Sequence, residues 1–146
     1  MKTRTVLMTS LSVVLTAGAL TACSLLKDEG KPMATKDCTR PGLCEVDVVV
    51  NGCSPTTNEK IVVDKSGGAV EIRWNAPAGY AFTEQGIRFE GSSPVIDPKP
   101  GLQERGARWM VVDRPNGQKS IAKYRIQVRS TSGTVCTGPD PLIANE

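Results

Sequence analysis

Residues 44–53 read Cys44-Glu-Val-Asp-Val-Val-Val-Asn-Gly-Cys53. Val46, Val48 and Val50 recur every second residue, and Asn51-Gly52 ends the run. That is the period of a half-buried strand closed by a turn signal. An extended strand rises about 3.3 Å per residue. Its two flanking cysteines therefore stand far beyond the Cα separation of about 4.4–6.8 Å that a disulfide allows. One segment thus predicts a strand and forbids one cysteine pairing.

The same period recurs along the chain. Glu59–Asp64 reads as a second strand, and Ser66-Gly67-Gly68 as a hairpin signal. Residues 69–74, Ala-Val-Glu-Ile-Arg-Trp, put Val70, Ile72 and Trp74 on one face and Glu71 and Arg73 on the other. Short strands are expected near 80–82 and 86–90. Residues 91–106 carry Pro94, Pro98, Pro100 and three glycines, and read as a long loop with an edge strand near Val95. Residues 107–112, 120–128 and 134–136 complete the set. No segment after residue 23 has a helical period. The expected fold is all-β: a single antiparallel β-sandwich of about seven strands, stapled by disulfides.

The first 23 residues are different. Lys2 and Arg4 precede a run from Val6 to Leu20 without charge, the pattern of a secretory signal peptide. The run is short for a bilayer span, which needs about 20 apolar residues. It ends Leu20-Thr21-Ala22-Cys23, which resembles the lipobox of bacterial lipoproteins. The resemblance implies cleavage before Cys23, a diacylglyceryl group on its thiol, and attachment to the membrane through that lipid. Ser24, where an aspartate would retain such a protein at the inner membrane, implies the outer membrane facing the periplasm, with surface exposure as the alternative. Residues 1–22 are then signal peptide, 23–37 the lipidated cysteine and a polar tether, and 38–146 the domain.

Cleavage leaves 124 of the 146 residues, one domain's worth. Lys2 and Arg4 leave too, so 16 basic residues face 15 acidic ones and no nucleic-acid partner is implied. Cys38, Cys44, Cys53 and Cys136 remain. Pro41-Gly42 lets the chain fold back between Cys38 and Cys44, so the expected bridges are Cys38–Cys44 and Cys53–Cys136. The spacing lacks the close pairs of a zinc site, and the chain has no histidine. No metal and no cofactor are expected.

The C-terminal segment Asp140-Pro141-Leu142-Ile143-Ala144-Asn145, with the strand region before it, resembles the end of small bacterial envelope proteins. That resemblance implies an immunoglobulin-like or cupredoxin-like Greek-key sandwich and carries no catalytic residue. A blue-copper site needs histidine ligands, and none is present.

Catalytic sets are thin. Histidine-based triads are excluded by composition. Ser120-Ile-Ala-Lys123 has the Ser-x-x-Lys spacing of penicillin-recognising enzymes, but in a strand it points Ser120 and Lys123 to opposite faces. Glu84, Glu90 and Asp97 are separate surface carboxylates unless the fold unites them. Trp74 and Trp109 fall on apolar faces. Trp109 serves as a binding hot spot only if exposed, with Arg105 and Arg108 beside it to grip a carboxylate. The expected function is a non-catalytic binding module in the cell envelope, with a protein or glycan partner. An inhibitor or immunity protein against a toxin or hydrolase is one alternative, and an envelope enzyme is another.

Overall fold

The computed structural model describes residues 34–57, 59–91, 93–139 and 141–146. Cys23, the apolar run and residues 24–33 of the tether lie outside the described residues. In chain order the strands are β1 Ala34–Asp37, β2 Gly42–Asp47, β3 Val49–Asn51, β4 Ser54–Thr56, β5 Glu59–Val63, β6 Val70–Asn75, β7 Tyr80–Phe89, β8 Ile96–Gln103, β9 Arg108–Asp113, β10 Ser120–Ser130, β11 Val135–Thr137 and β12 Leu142–Asn145.

The fold is all-β, as the alternating pattern requires. The first sheet runs β1-β5-β12-β10, with β11 continuing β12 along one edge of β10 and β7 on the other. The second sheet runs β2-β6-β9-β8, and β3–β4 form a hairpin. The two sheets share one core, in which Trp74, Tyr124, Ile61, Ile72, Ile126 and Ile143 are fully buried.

Three expectations need correction. There are twelve strands among the described residues, against about seven expected. Bulges and jogs cut continuous strands into pieces, and the C-terminal segment adds β12. Nor is the sandwich purely antiparallel, because β1–β5, β5–β12 and β2–β6 are parallel pairs. Alternation reveals a buried face but says nothing of a partner's direction. The tether boundary also shifts: residues 34–37 form β1 and pair with β5, so the domain starts inside the expected tether.

Two of the parallel pairs, β1–β5 and β2–β6, share one device. The chain lies in the first sheet as β1 and crosses to the second as β2, and Cys38–Cys44 clips that crossing with a Cα separation of 5.6 Å. Cys53–Cys136 joins the β3–β4 turn to β11 at 4.9 Å. Both bridges are those expected from the strand of residues 44–53, which excludes Cys44–Cys53, and the Pro41-Gly42 turn, which favours Cys38–Cys44. Gly138 then lets the chain pass β4, since a Cβ there would fall 1.5 Å from the Pro55 carbonyl oxygen.

Polar groups inside the sandwich are few, and two sets of them are bonded across it, while Trp109 Nε1, Asp113 Oδ1 and Asn145 Oδ1 are buried without a hydrogen bond. The Trp74 Nε1–H donates to the Tyr124 hydroxyl at 3.2 Å, and Thr57 Oγ1 lies 3.4 Å from the same oxygen. Burial raises the Tyr124 phenol above its ordinary value. Nearer one end, Asn145 Nδ2 donates to Asp113 Oδ2 and to Ser120 Oγ, each at 3.2 Å. Asn145 closes the C-terminal segment singled out in the sequence, so that segment's last residue ties β12 to β9 of the opposite sheet. Asp113 is fully buried, and burial pushes its carboxyl up to about 6 despite the Asn145 hydrogen bond.

Two predictions follow from this packing. Cys53–Cys136 spans 83 residues of sequence and Cys38–Cys44 only 6. Chain entropy then makes the long bridge worth about 4–5 kcal/mol and the short one clearly less. Urea unfolding of Cys53→Ala/Cys136→Ala should show the larger loss, and equal losses would contradict the account. Asp113 holds a proton when folded that it surrenders near pH 3.8 when unfolded. Its stabilising contribution is therefore complete below about pH 4 and lost as pH rises through about 6, a swing of about 3 kcal/mol. Asp113→Asn should be the more stable protein at pH 8 and should lack that slope. A parallel pair of stability–pH curves would refute the assignment.

Candidate functional site

β7 and β10 form the longest pair in the first sheet, and their register breaks once. Phe82 faces Val128 and Ile87 faces Ile126, so residues 83–86 of β7 stand opposite Gln127 alone. The sequence shows this as the gap between the two short strands expected at 80–82 and 86–90. Gly86 makes the bulge fit, because a Cβ there would lie 2.7 Å from the Trp109 ring and 2.8 Å from Phe82 Cβ. Bulges re-aim side chains and are frequent beside functional sites.

Here the bulge opens a cleft of about 670 Å³, within the size range of small-ligand sites. Thr83, Glu84, Gln85, Gln127, Arg129 and Leu102 line it. Thr83 Oγ1 donates to Gln127 Oε1 at 2.6 Å and accepts from the Gln85 N–H at 3.2 Å. Gln127 Nε2 donates onward to Thr137 Oγ1 at 3.3 Å. These bonds fix the cleft floor. Glu84 and Arg129 carry opposite charges at its walls, and each is exposed. The site therefore offers one anion, one cation, amides and a hydroxyl over an apolar base of Phe82 and Leu102. That set suits a polar ligand with both donors and acceptors, such as a glycan or a peptide segment.

The residues singled out in the sequence fall nearby but do not assemble as expected. Trp109 is a core residue and is withdrawn as a hot spot. It is 8% exposed and packs edge-on against Phe82, with ring centroids 6.3 Å apart. Strand alternation on β9 buries Trp109, Val111 and Asp113 together. Arg108 is held by Glu104 in an ion pair four residues away. Arg105 is exposed in the 3-10 turn Glu104–Gly106, where both Glu104 and Arg105 adopt positive φ. The long loop expected over 91–106 is largely β8, the edge strand paired with β9. Val95 and Ile96 are buried, so that segment is part of the fold and not a removable loop.

The carboxylates also separate. Glu90 pairs with Arg125, Asp97 accepts from the Lys99 N–H, and Glu84 lines the cleft. Ser120 bonds to Asn145 while Lys123 is exposed, the opposed facing that the strand reading requires. Among the described residues, no group of three or more Cys, Asp or Glu side chains is placed to hold a metal ion. Nor is any helix long and apolar enough to cross a membrane. Cys23 lies outside the described residues. No protein-family model matches the chain, and no curated protein matches it.

The bulge makes a direct prediction. Gly86→Ala should force Trp109 and Phe82 apart, at a cost of about 1–3 kcal/mol from overpacking. Urea unfolding measures the loss, and the tryptophan emission spectrum should shift with it. Parental stability would mean that Gly86 does not set the bulge geometry.

Proposed function

We propose that the protein is a lipid-anchored envelope module that recognises a polar partner through the cleft over the β7 bulge. The observation that carries this reading is Leu20-Thr21-Ala22-Cys23, placed at the end of a 15-residue uncharged run and ahead of a disulfide-stapled all-β domain. Two disulfides fit an oxidising compartment outside the cytoplasm. One acyl chain holds a protein only marginally, whereas two or more hold it stably, so diacylglyceryl attachment at Cys23 makes a lasting anchor. By the Ser24 resemblance the anchor is in the outer membrane, facing the periplasm. The resemblance of the C-terminal segment to small envelope proteins supports the same compartment.

Recognition is favoured over turnover by the chemistry available. The chain has no histidine to serve as a base near neutral pH. The cleft carboxylate Glu84 is exposed, and the bonded groups Thr83 and Gln127 form a fixed floor suited to hydrogen-bonding a ligand. The Thr83–Gln127–Thr137 hydrogen bonds hold that floor in place, which lowers the ordering cost of binding.

The anchor is tested by labelling cells with a radioactive fatty acid and by intact-mass measurement. Cys23→Ser should lose the label and leave the membrane fraction, and a mature N-terminus elsewhere would refute the anchor. The cleft is tested by affinity capture from detergent-solubilised envelopes with the parent and with Glu84→Gln/Arg129→Ala. Both residues are exposed, so the variant should fold normally while losing capture at least about tenfold. Undiminished capture would move recognition elsewhere. A captured hydrolase or toxin whose activity falls on binding would specify the reading as an inhibitor or immunity protein.

A further inference from the structure

We propose that the end of the first sheet centred on Ile121 is a docking surface for an anionic phospholipid bilayer. Ile121 points outward from β10 and is 69% exposed, more than Leu43, Leu102 or Val135. Lys119 and Lys123 stand two residues to either side, both exposed, and strand alternation puts them around the same face. Ile121 pairs with Ala144, which pairs with Val62, so Lys60 on β5 shares that face. Backbone bonds draw in more charge. The Lys65 N–H donates to the Glu146 carbonyl at 3.2 Å, and the Gly117 N–H donates to the Lys65 carbonyl at 2.7 Å. These bonds bring Lys65 and the turn carrying exposed Arg114 to this end.

The acids on this face are few: Asp37 pairs with Val62 at the far edge of the sheet, where its carboxylate accepts from the Thr39 N–H and hydroxyl. Glu146 is bonded to Lys60, and Lys60, Lys119 and Lys65 hold its carboxyl below the usual range. Asp64 accepts the Ser66 N–H within its own turn, and Asp113 is buried beneath. An aliphatic side chain ringed by lysines and flanked by a shallow hollow of about 540 Å³ fits a bilayer interface. The apolar atom group enters the acyl boundary while the ammonium groups reach phosphates. Each such cation is attracted to an anionic leaflet by a comparable increment.

The choice of a bilayer as occupant rests on the lipid-anchor reading. Eleven residue steps separate Cys23 from Ala34, a reach of at most about 40 Å. The described chain enters this same sheet at Ala34, on β1. An anchored domain is therefore never far from headgroups. The cleft over the bulge lies toward the opposite end of β10, and docking through Ile121 leaves it open to a partner.

The test uses the full chain, in the parent and in Cys23→Ser form, mixed with phosphatidylcholine vesicles with and without one quarter phosphatidylglycerol. Lys119→Glu/Lys123→Glu should lower binding to the anionic vesicles roughly tenfold or more and leave binding to the neutral ones unchanged. The charge-matched control Arg105→Glu/Lys99→Glu, remote from this end, should bind like the parent, and circular dichroism should show both variants folded. Comparison within the Cys23→Ser background keeps the result independent of the anchor. Lipid found on Cys23 together with equal vesicle binding by the two double variants would overturn the docking surface and leave the anchor standing. Absence of lipid with a retained lysine effect would do the reverse. A lysine effect confined to a soluble polyanion such as heparin, with none on vesicles, would also overturn it.

Discussion

The Tyr124 hydroxyl is where the two sheets are joined by something more specific than apolar contact. Tyr124 belongs to β10 and Trp74 to β6, and both are fully buried. The indole N–H has one useful acceptor in that interior, and the phenol oxygen supplies it. The rings meet edge to face at 5.2 Å, and Phe89 also packs against Tyr124, with centroids 5.8 Å apart. A buried polar group without a partner costs about 1–3 kcal/mol. Sliding either sheet would orphan the indole N–H and leave the phenol with Thr57 alone, so this contact sets how the sheets align.

With the middle sealed, departures from regular structure lie toward the ends. Toward one end, β7 swells at residues 83–86 and a polar cleft opens above Gln127. At the other, Asn145 and Asp113 tie the sheets beneath a surface where Lys60, Lys65 and Lys119 surround Glu146. The disulfides follow the same division of labour. Cys38–Cys44 holds the crossing of the N-terminal strand between sheets, and Cys53–Cys136 holds the β3–β4 hairpin against β11. Each reinforces a place where the hydrogen-bond ladder is interrupted.

What the sequence made legible is what alternation and chain geometry encode. Val70, Ile72 and Trp74 face inward as their period demands, and both bridges follow from the extended residues 44–53 together with the turn at Pro41-Gly42. Trp109 showed the same signal and belonged to the core for the same reason. Direction and partnership were not legible, because a run such as Glu59–Val63 reads alike whether its neighbour is parallel or antiparallel. The prolines of residues 91–106 suggested a loop, yet β8 lies at a sheet edge, where missing N–H groups cost little. The cleft was half visible, as a gap between two short strands. Its lining needed Gln127 and Arg129, more than 40 positions away, and no local pattern names them. The Asp113–Asn145 pair was invisible for that reason as well.

Trp74 and Tyr124 bind the two sheets through one shared hydrogen bond. A double-mutant cycle of Trp74→Phe and Tyr124→Phe, read by urea unfolding, measures that coupling directly. The structure predicts that the two losses fall short of adding, with a coupling of about 1–2 kcal/mol. Strict additivity, with each substitution costing the same in the presence or absence of the other, would contradict it.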